Sequence, residues 1–481
     1  MTDLPSTAAH PKETQGSADS TRFLENLEHL THPHMTNNDN RQEHNSKLAT
    51  KWLFTKNRSC SCTMPGIWRA VSFCDGCAVI FHGPSGCAHV ATLMDLGAQY
   101  RIIGNRISEQ VDAVPLIASD LQDKDCIFGG TDRLRGCIAY VMETWHPKCL
   151  VIASSCVAGV IGDDVEQEAE DAEAMYRIPV LCVPYGGFLG GEYSDGYFQT
   201  ARLIMDRFLT PQPKAPGTVL LLGDQMGPWG QYAREVKRLL AGFGLQVKWQ
   251  FPGYVPFDRW REMTSASLLI PLNYAGQTQG GLEKTAADWQ ERFGTPSVRN
   301  IYPVGWQNTC DWLRSIGRLL QEEARGEAII RREEKRLDDF IASILPVTKQ
   351  KKAVLGIGRG PRWYNPAETL NTMRRMQMDI TAVILFDKLA ADEKETVTAT
   401  VQTWLADRNL QTVPLIGNGD FNAILQDADV LLTTDEILDN PVRQFFIPMV
   451  PLAGTDGEIL LMRTIYRLLC RYGNKGGIAY A

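Results

Sequence analysis

The sequence lacks the features that would place the chain in a membrane, on nucleic acid or outside the cell. No apolar run approaches the roughly 20 residues that a membrane span requires. The net charge is -7 and no basic patch occurs, which argues against a nucleic-acid surface. The first residues, MTDLPSTAAHPKETQ, lack the basic and apolar stretches of a secretory signal. We therefore expect a cytoplasmic protein with reduced cysteines.

Histidine and cysteine are absent from long parts of the chain. All eight histidines lie at or before His146, and no cysteine occurs between Cys182 and Cys310. Ten of the twelve cysteines lie between Cys60 and Cys182. Because disulfides are rare in a reducing compartment, this concentration indicates metal or redox chemistry. Thiol chemistry is expected in the first third of the chain.

With 481 residues, the chain is too long for one ordinary core, and roughly three domains are expected. Residues 1–45 are polar and poor in aliphatic side chains, which predicts a disordered arm. The remainder divides into predicted α/β domains at 46–210, 211–345 and 346–481. Strands that alternate with helices favour parallel sheets flanked by helices, so the predicted fold class is α/β with three Rossmann-like domains.

Apolar runs and helical periodicity predict the individual elements. The predicted strands are Ala78–Phe81, Cys149–Ser154, Ile178–Val183, Val219–Asp224, Leu268–Leu272, a strand from Ala353, Thr381–Phe386, Val413–Ile416, Asp429–Thr433 and Phe446–Pro451. The predicted helices are Asp132–Thr144, Asp164–Tyr176, Tyr232–Phe243 and long connecting helices within 311–345.

Three cysteines stand in sequence contexts that suit ligands of an iron–sulfur cluster. Cys87 ends the segment Phe81-His-Gly-Pro-Ser-Gly-Cys87, and Cys156 ends Leu150-Val-Ile-Ala-Ser-Ser-Cys156. Cys62 opens Cys62-Thr-Met-Pro-Gly66, although the neighbouring Cys60 is an alternative ligand. Thiolates are the usual ligands of such clusters, and ligands of open α/β sheets lie at strand ends. The alternative is that each cysteine is an ordinary buried thiol.

These contexts resemble the nitrogenase component 1 family. The resemblance rests on Cys62-x-x-Pro-Gly, His82-Gly-Pro-Ser-Gly-Cys87 and Ser155-Cys156 followed by Ile161-Gly-Asp-Asp164. The acidic segment Asp120–Gly130 also resembles the family's segment between the second and third cluster cysteines. The resemblance implies a nitrogenase component 1 type fold in which homologous subunits share an interfacial cluster, near where an ATP-hydrolysing iron protein docks.

The same resemblance implies the ligands, the cluster and the partners. Cys62, Cys87 and Cys156 would be this chain's metal ligands, and the homologous α-like subunit would supply the others, in an expected α2β2 heterotetramer. The cluster would be an eight-iron P-type cluster if the partner gives three thiolates, or a 4Fe-4S cluster if it gives one. Gly191 stands where some relatives have an additional serine ligand, so that ligand is not expected.

The family's cofactor-bearing subunit uses a cysteine in the second domain and a histidine in the third. This chain has neither, since the matching strand end offers Asn273 and Tyr274, and Cys310 is expected to be structural. The chain is therefore expected to be the β-like subunit, which relays electrons and has no catalytic residues of its own.

The expected function is that of an oxidoreductase subunit in a nitrogenase-like, ATP-dependent reductase complex. Departures from the dinitrogenase β subunit favour a methylthio-alkane reductase, which cleaves carbon–sulfur bonds. The alternatives are a dinitrogenase β subunit, a tetrapyrrole reductase subunit, a nitrogenase cofactor-assembly scaffold and a plain α/β binding protein without metal.

Overall fold

Parallel β-sheets flanked by helices make up the part of the chain that the computed structural model describes. That part comprises residues 62–93, 113–184, 186–187, 190–273, 280–358, 364–386, 389, 391–417, 421–435, 437, 442–448, 450–471 and 478–480. The predicted arm at 1–45, Cys60 and Tyr274 lie outside the described residues. All described residues belong to one unit, Lys56–Ala481.

The first sheet contains four parallel strands in the order β2-β1-β3-β4. Its strands are β1 (Cys77–His82), β2 (Leu116–Ala118), β3 (Cys149–Ser154) and β4 (Val180–Val183). Its helices are α1 (Met64–Arg69), α2 (85–93), α3 (Asp125–Phe128), α4 (Thr131–Trp145), α5 (Cys156–Ile161), α6 (Val165–Tyr176) and α7 (Tyr193–Phe208). Strands β1 and β3 are buried along their whole length, as central strands of a covered parallel sheet must be.

The second sheet is smaller, with the strand order β6-β5-β7. Its strands are β5 (Ala215–Leu222), β6 (Gln246–Phe251) and β7 (Ala266–Pro271), and its helices are α8 (Gln231–Ala241) and α9 (Gly280–Phe293), with a 3-10 helix at Phe257–Ser265. Two long helices, α10 (Trp306–Leu320) and α11 (Glu323–Thr348), lead to the third sheet.

The third sheet has six parallel strands in the order β10-β9-β8-β11-β12-β13. They are β8 (Lys352–Ile357), β9 (Asp379–Leu385), β10 (Leu415–Ile416), β11 (Val430–Thr433), β12 (Arg443–Phe446) and β13 (Ile478–Tyr480). The helices are α12 (Pro366–Arg375), α13 (Ala391–Ala406), α14 (Asn422–Asp427) and α15 (Gly454–Leu469).

The predicted fold class is confirmed, because each predicted α/β domain contains one of these parallel sheets. The predicted domain boundaries themselves stay predictions. The strand predicted at Phe446–Pro451 is wrong, since β12 is Arg443–Phe446. Pro448 and Pro451 lack the N–H that a strand contributes to its ladder, so pairing ends before them. The short strand β2 and the strand β6 were not among the predicted elements.

A charged cluster joins helix α8 of the second sheet to the connecting helix α11. Arg238 of α8 lies between Glu235 of the same helix and Glu333 of α11, with contacts of 2.6–2.8 Å. Both carboxylate side chains are 1% exposed. Because a buried charge without a partner is strongly unfavourable, this cluster fixes α8 against α11.

The described helices include none that is both long enough and apolar enough to cross a membrane.

Candidate metal centre

The three candidate ligands lie at the carboxyl edge of the first sheet. Cys62 precedes α1, and Cys87 lies in the first turn of α2, after β1 has ended at His82. Cys156 was expected to end a strand, which is wrong, because β3 stops at Ser154 and Cys156 is the first residue of α5. The Ser155 side chain accepts a hydrogen bond from the Ala158 N–H and so begins the helix.

Close backbone contacts connect the segments that carry Cys62 and Cys156. The carbonyl of Gly187 accepts hydrogen bonds from the Thr63 backbone N–H (3.3 Å) and the Thr63 hydroxyl (3.2 Å), next to Cys62. A β-carbon on Gly187 would lie 2.5 Å from the backbone nitrogen of Cys156. The φ angle of Gly187 is +75°, so this position requires glycine for two separate reasons.

A second glycine, Gly83, brings the turn at residues 83–87, here called the Cys87 turn, against the start of α5. A β-carbon on Gly83 would lie 2.6 Å from Ser155 Oγ and 3.8 Å from Cys87 Sγ. Gly86, one residue before Cys87, faces open space. The segments that carry Cys87 and Cys156 are therefore held close together, with room beside Cys87.

Cys156 also influences the Cys87 thiol electrostatically. Burial raises the pKa of the Cys87 thiol, and the neighbouring Cys156 raises that pKa further. A bound cation would reverse this effect, because metal coordination favours the thiolate. The donor set is sulfur, which suits iron–sulfur clusters, so the residues present fit the implied group.

No three His, Cys, Asp or Glu side chains within the described ranges are grouped closely enough to hold a single metal ion. This finding concerns one ion. An iron–sulfur cluster contains several metal atoms and spaces its thiolates more widely, and a shared cluster takes part of its ligands from another chain.

A buried hydrogen-bonded group lies beneath the Cys87 turn. His82 is fully buried, with Nδ1 2.8 Å from Ser119 Oγ and Nε2 2.8 Å from Asp163 Oδ2. Burial lowers the pKa of His82, although Asp163 opposes this change. Both ring nitrogens have partners, so His82 shapes the turn and has no free nitrogen to offer a thiolate.

Exposed apolar side chains lie beside the candidate ligands. Ile127 and Phe128 of α3 are 77% and 86% exposed, and Val160 of α5 is 77% exposed. Helices α3 and α5 pack against each other, so this surface continues from the helix that begins at Cys156. Large contiguous exposed apolar patches are a feature of protein-interaction sites.

Other cysteines of the first domain lie at the opposite edge of the sheet. Cys77 begins β1 and pairs in register with Cys149, which begins β3. A hydrogen bond with the Cys149 thiol and burial both raise the pKa of Cys77, and burial raises the pKa of Cys74 to about 12. These buried thiols are protonated at neutral pH, which favours a structural role.

Three further sequence positions can be judged by their surroundings. Gly191 has a φ angle of +114°, and a β-carbon there would lie 2.5 Å from Asp195 Oδ2, so a serine would be strained. Asn273 is buried, and its backbone carbonyl accepts a hydrogen bond from the Tyr232 hydroxyl. Cys310 is buried within α10, as a structural thiol would be.

Sequence reasoning missed Ser119, which contacts both His82 and the backbone N–H of Gly83. The available signal was its position at the start of the acidic segment, directly before Asp120. Asp163 belonged to a recognised motif, but its partners lie 33 and 81 residues away in sequence and only the fold brings them together.

The fold and this thiol-bearing edge define a class: an α/β protein with three parallel sheets and candidate cluster ligands in the first. A family model described as nitrogenase component 1 type oxidoreductase matches residues 62–440, and the chain belongs to that family. The predicted family is thereby confirmed.

Named relatives and a solved structure agree with this membership. The chain is 28% identical over 287 residues to the nitrogenase iron-molybdenum cofactor biosynthesis protein NifE of Clostridium pasteurianum, covering 58% of each protein. It is 24% identical over 302 residues to the nitrogenase molybdenum-iron protein alpha chain of Methanosarcina barkeri, covering 60% of this chain and 54% of that one. The chain thus spans little more than half the length of these two relatives.

The fold of the nitrogenase Cp1 structure at pH 5 matches with a TM-score of 0.58 and 18% identity, covering 86% of this chain and 88% of that chain. Relatives in an oxidoreductase family support an oxidoreductase type of function.

Proposed function

We propose that this chain is a subunit of a nitrogenase-like reductase, in which Cys62, Cys87 and Cys156 hold an iron–sulfur cluster shared with a homologous subunit. The observation that carries the proposal is the close placement of the Cys87 turn, the start of α5 and the Gly187 carbonyl that binds Thr63. Three separate segments that carry thiols lie at one sheet edge, where α/β proteins bind ligands, and this supports the proposal.

A bound cluster would supply one-electron redox chemistry in a relay from an ATP-hydrolysing iron protein towards the partner subunit's cofactor. The residues of this chain contribute thiolate ligands and their placement. The P-type eight-iron form, the 4Fe-4S form and the α2β2 assembly remain open predictions within this proposal.

The exposed residues Ile127, Phe128 and Val160 support a protein partner at this edge. We assign this surface to the iron protein, because electron transfer requires a donor that docks close to the relay site. A few bulky side chains that become fully buried at the centre of such a contact supply most of its affinity.

The β-like role and the substrate are finer parts of the proposal. The relatives reported above carry the names of an alpha chain and of a cofactor biosynthesis protein, so the β-like role stays a prediction. The assignment as a methylthio-alkane reductase also stays a prediction, based on sequence departures from the dinitrogenase β subunit.

A second candidate function is a scaffold for nitrogenase cofactor assembly. It is favoured by the name of the relative from Clostridium pasteurianum, a cofactor biosynthesis protein. A scaffold would hold iron and sulfide as cargo and transfer them, and it would not turn over a substrate.

The proposal is tested by purifying the chain anaerobically with its co-expressed partner and measuring iron and acid-labile sulfide. We expect about four irons per chain for a shared eight-iron cluster, and a large loss in Cys87→Ala and Cys156→Ala. Cys77→Ala is the matched control, because Cys77 begins β1 at the opposite edge of the same sheet. An iron-free wild-type complex would contradict the proposal.

Enzyme and scaffold are separated by two further measurements on the iron-loaded complex. With the iron protein and ATP, a reductase reduces a methylthio-alkane or dinitrogen. A scaffold shows no turnover but releases its iron–sulfur cargo to an acceptor protein.

A further inference from the structure

The hydrogen bonds around His82 have a single consistent direction. The Gly83 N–H donates to Ser119 Oγ at 3.1 Å, so this oxygen is already an acceptor. The Ser119 hydroxyl can then donate its own proton to His82 Nδ1, 2.8 Å away. Because the Asp163 carboxylate can only accept, the ring proton lies on Nε2, which donates to Asp163 Oδ2 at 2.8 Å, and the neutral ring accepts the Ser119 proton at Nδ1.

Asp163 collects donors from a third segment. Both of its carboxylate oxygens accept from the Gly130 N–H, at 2.9 and 3.1 Å, and Oδ1 lies 3.4 Å from the Thr131 hydroxyl. A β-carbon on Gly130 would lie 2.8 Å from Asp163 Oδ2 and 3.3 Å from His82 Cε1. The carboxylate side chain is only 5% exposed, so these donors replace water.

This network supports the two segments that carry Cys87 and Cys156. His82 ends β1 directly before the Cys87 turn, and its carbonyl accepts a 3.0 Å hydrogen bond from the Ser155 N–H. Asp163 follows α5, whose first residue is Cys156, and its own N–H donates to Ala158 within that helix. The His82 to Asp163 bond thus joins the end of β1 to the far end of α5.

We propose that His82, Ser119 and Asp163 are positioning residues that set the placement of Cys87 relative to Cys156, and thereby the geometry of a thiol-bound metal cluster. This inference rests on the proposed function for the presence of a metal cluster. The placement of the two thiols is a property of the metal-free chain. In this proposal the three residues are not ligands of the cluster. They act through the turn and the helix that carry the ligands, as partners behind metal ligands generally do.

The variants follow from the direction of the hydrogen bonds. His82→Leu fills the space but removes both bonds and leaves Asp163 buried with one donor fewer. His82→Gln retains an amide N–H that can reach Asp163, so it is the conservative rescue. His89→Gln is the matched control, because His89 lies on α2 beyond Cys87 and is exposed.

The first measurement uses the metal-free complex and needs no cluster. Phenylarsine oxide bridges two thiols that lie close together, and the binding lost in Cys87→Ser defines the part that involves Cys87. We expect His82→Leu to lose this same part, whereas His82→Gln and His89→Gln retain it. Equal binding in His82→Leu and the wild type would overturn the proposal.

The second measurement uses the iron-loaded complex and records iron release to a ferrous chelator together with the electron paramagnetic resonance spectrum. We expect release about 10-fold faster in His82→Leu, a changed spectrum, and rescue of both by His82→Gln. A lower melting temperature in His82→Leu with unchanged release and spectrum would show a merely structural role and overturn the proposal.

The two proposals fail separately. A wild-type complex without iron contradicts the proposed function. If the arsenical signal still depends on His82 in that protein, the positioning of Cys87 against Cys156 stands. If iron is bound but both readouts are the same in all His82 variants, only the positioning proposal fails.

Discussion

Arg238 holds Glu333 through two hydrogen bonds of 2.8 and 2.6 Å, across 95 residues of sequence. The Glu333 side chain is 1% exposed, and the arginine more than offsets the effect of burial, so the pKa of Glu333 falls to about 2. Helix α8 of the second sheet and helix α11 are thereby joined by a charge pair whose carboxylate is shielded from water, while the arginine is 33% exposed.

Arg238→Met is expected to lower the free energy of unfolding by about 3 kcal/mol, because it leaves two buried carboxylates without their shared partner. Chemical denaturation measures the change. Arg314→Met is the control, since Arg314 pairs with exposed carboxylates and its loss is expected to change stability by less than about 1 kcal/mol. Equal effects of the two substitutions would contradict the assigned role of Arg238.

Gly187→Ala is expected to displace the start of α5 and weaken iron binding, because the new methyl group would lie 2.5 Å from the Cys156 nitrogen. Iron per chain after anaerobic purification measures this effect. Gly159 lies on α5, and a β-carbon there would have no neighbouring atom within 4 Å. Gly159→Ala should therefore retain full iron and stabilise the helix by about 0.5–1 kcal/mol. Retention of full iron in Gly187→Ala would show that the close contact is dispensable.

Glu458 of α15 supplies a pH dependence of stability. Burial raises its pKa from 4.5 to about 7, and the neighbouring Glu368 adds to the increase. The folded carboxyl therefore keeps a proton that the unfolded one loses, and stability falls as the pH rises from about 4.5 to about 7.

Glu458→Gln should remove this dependence and stabilise the protein by up to about 3 kcal/mol at pH 8, with little change at pH 5. Denaturation midpoints at both pH values provide the measurement. Glu334→Gln, at an exposed position of α11, is the control and should behave like the wild type. If the denaturation midpoint of Glu458→Gln changes between the two pH values as much as that of the wild type, the prediction is contradicted.

Phe128→Ser is expected to weaken binding of the iron protein about 10- to 30-fold, because it removes the most exposed apolar side chain beside the candidate cluster site. Binding is measured with the purified iron protein and a non-hydrolysable ATP analogue. Met175→Ser is the control, since Met175 is 72% exposed on α6, outside this surface. Unchanged affinity in Phe128→Ser would place the docking site elsewhere.

Much of the fold was predictable because local patterns decided it. The buried strand Cys149–Ser154 was predicted at its observed bounds, since a short apolar run followed by a turn allows few alternatives. The three-residue strand β2 escaped prediction because its residues are only half-buried and its order comes from pairing with β1. The strand predicted at Phe446–Pro451 was misplaced because the prediction gave its apolar residues more weight than its two prolines.

The sequence by itself determined the α/β class, the three parallel sheets, the family and the cysteines that stand in ligand-like contexts. These follow from periodicity, turn residues and short motifs, which are local properties of the chain. Only the tertiary structure decided that Cys156 begins a helix, that Gly187 connects Thr63 to Cys156, and that His82 meets Asp163. Such contacts join residues far apart in sequence. Their hydrogen bonds and charge interactions are stronger than in water because burial lowers the local dielectric constant.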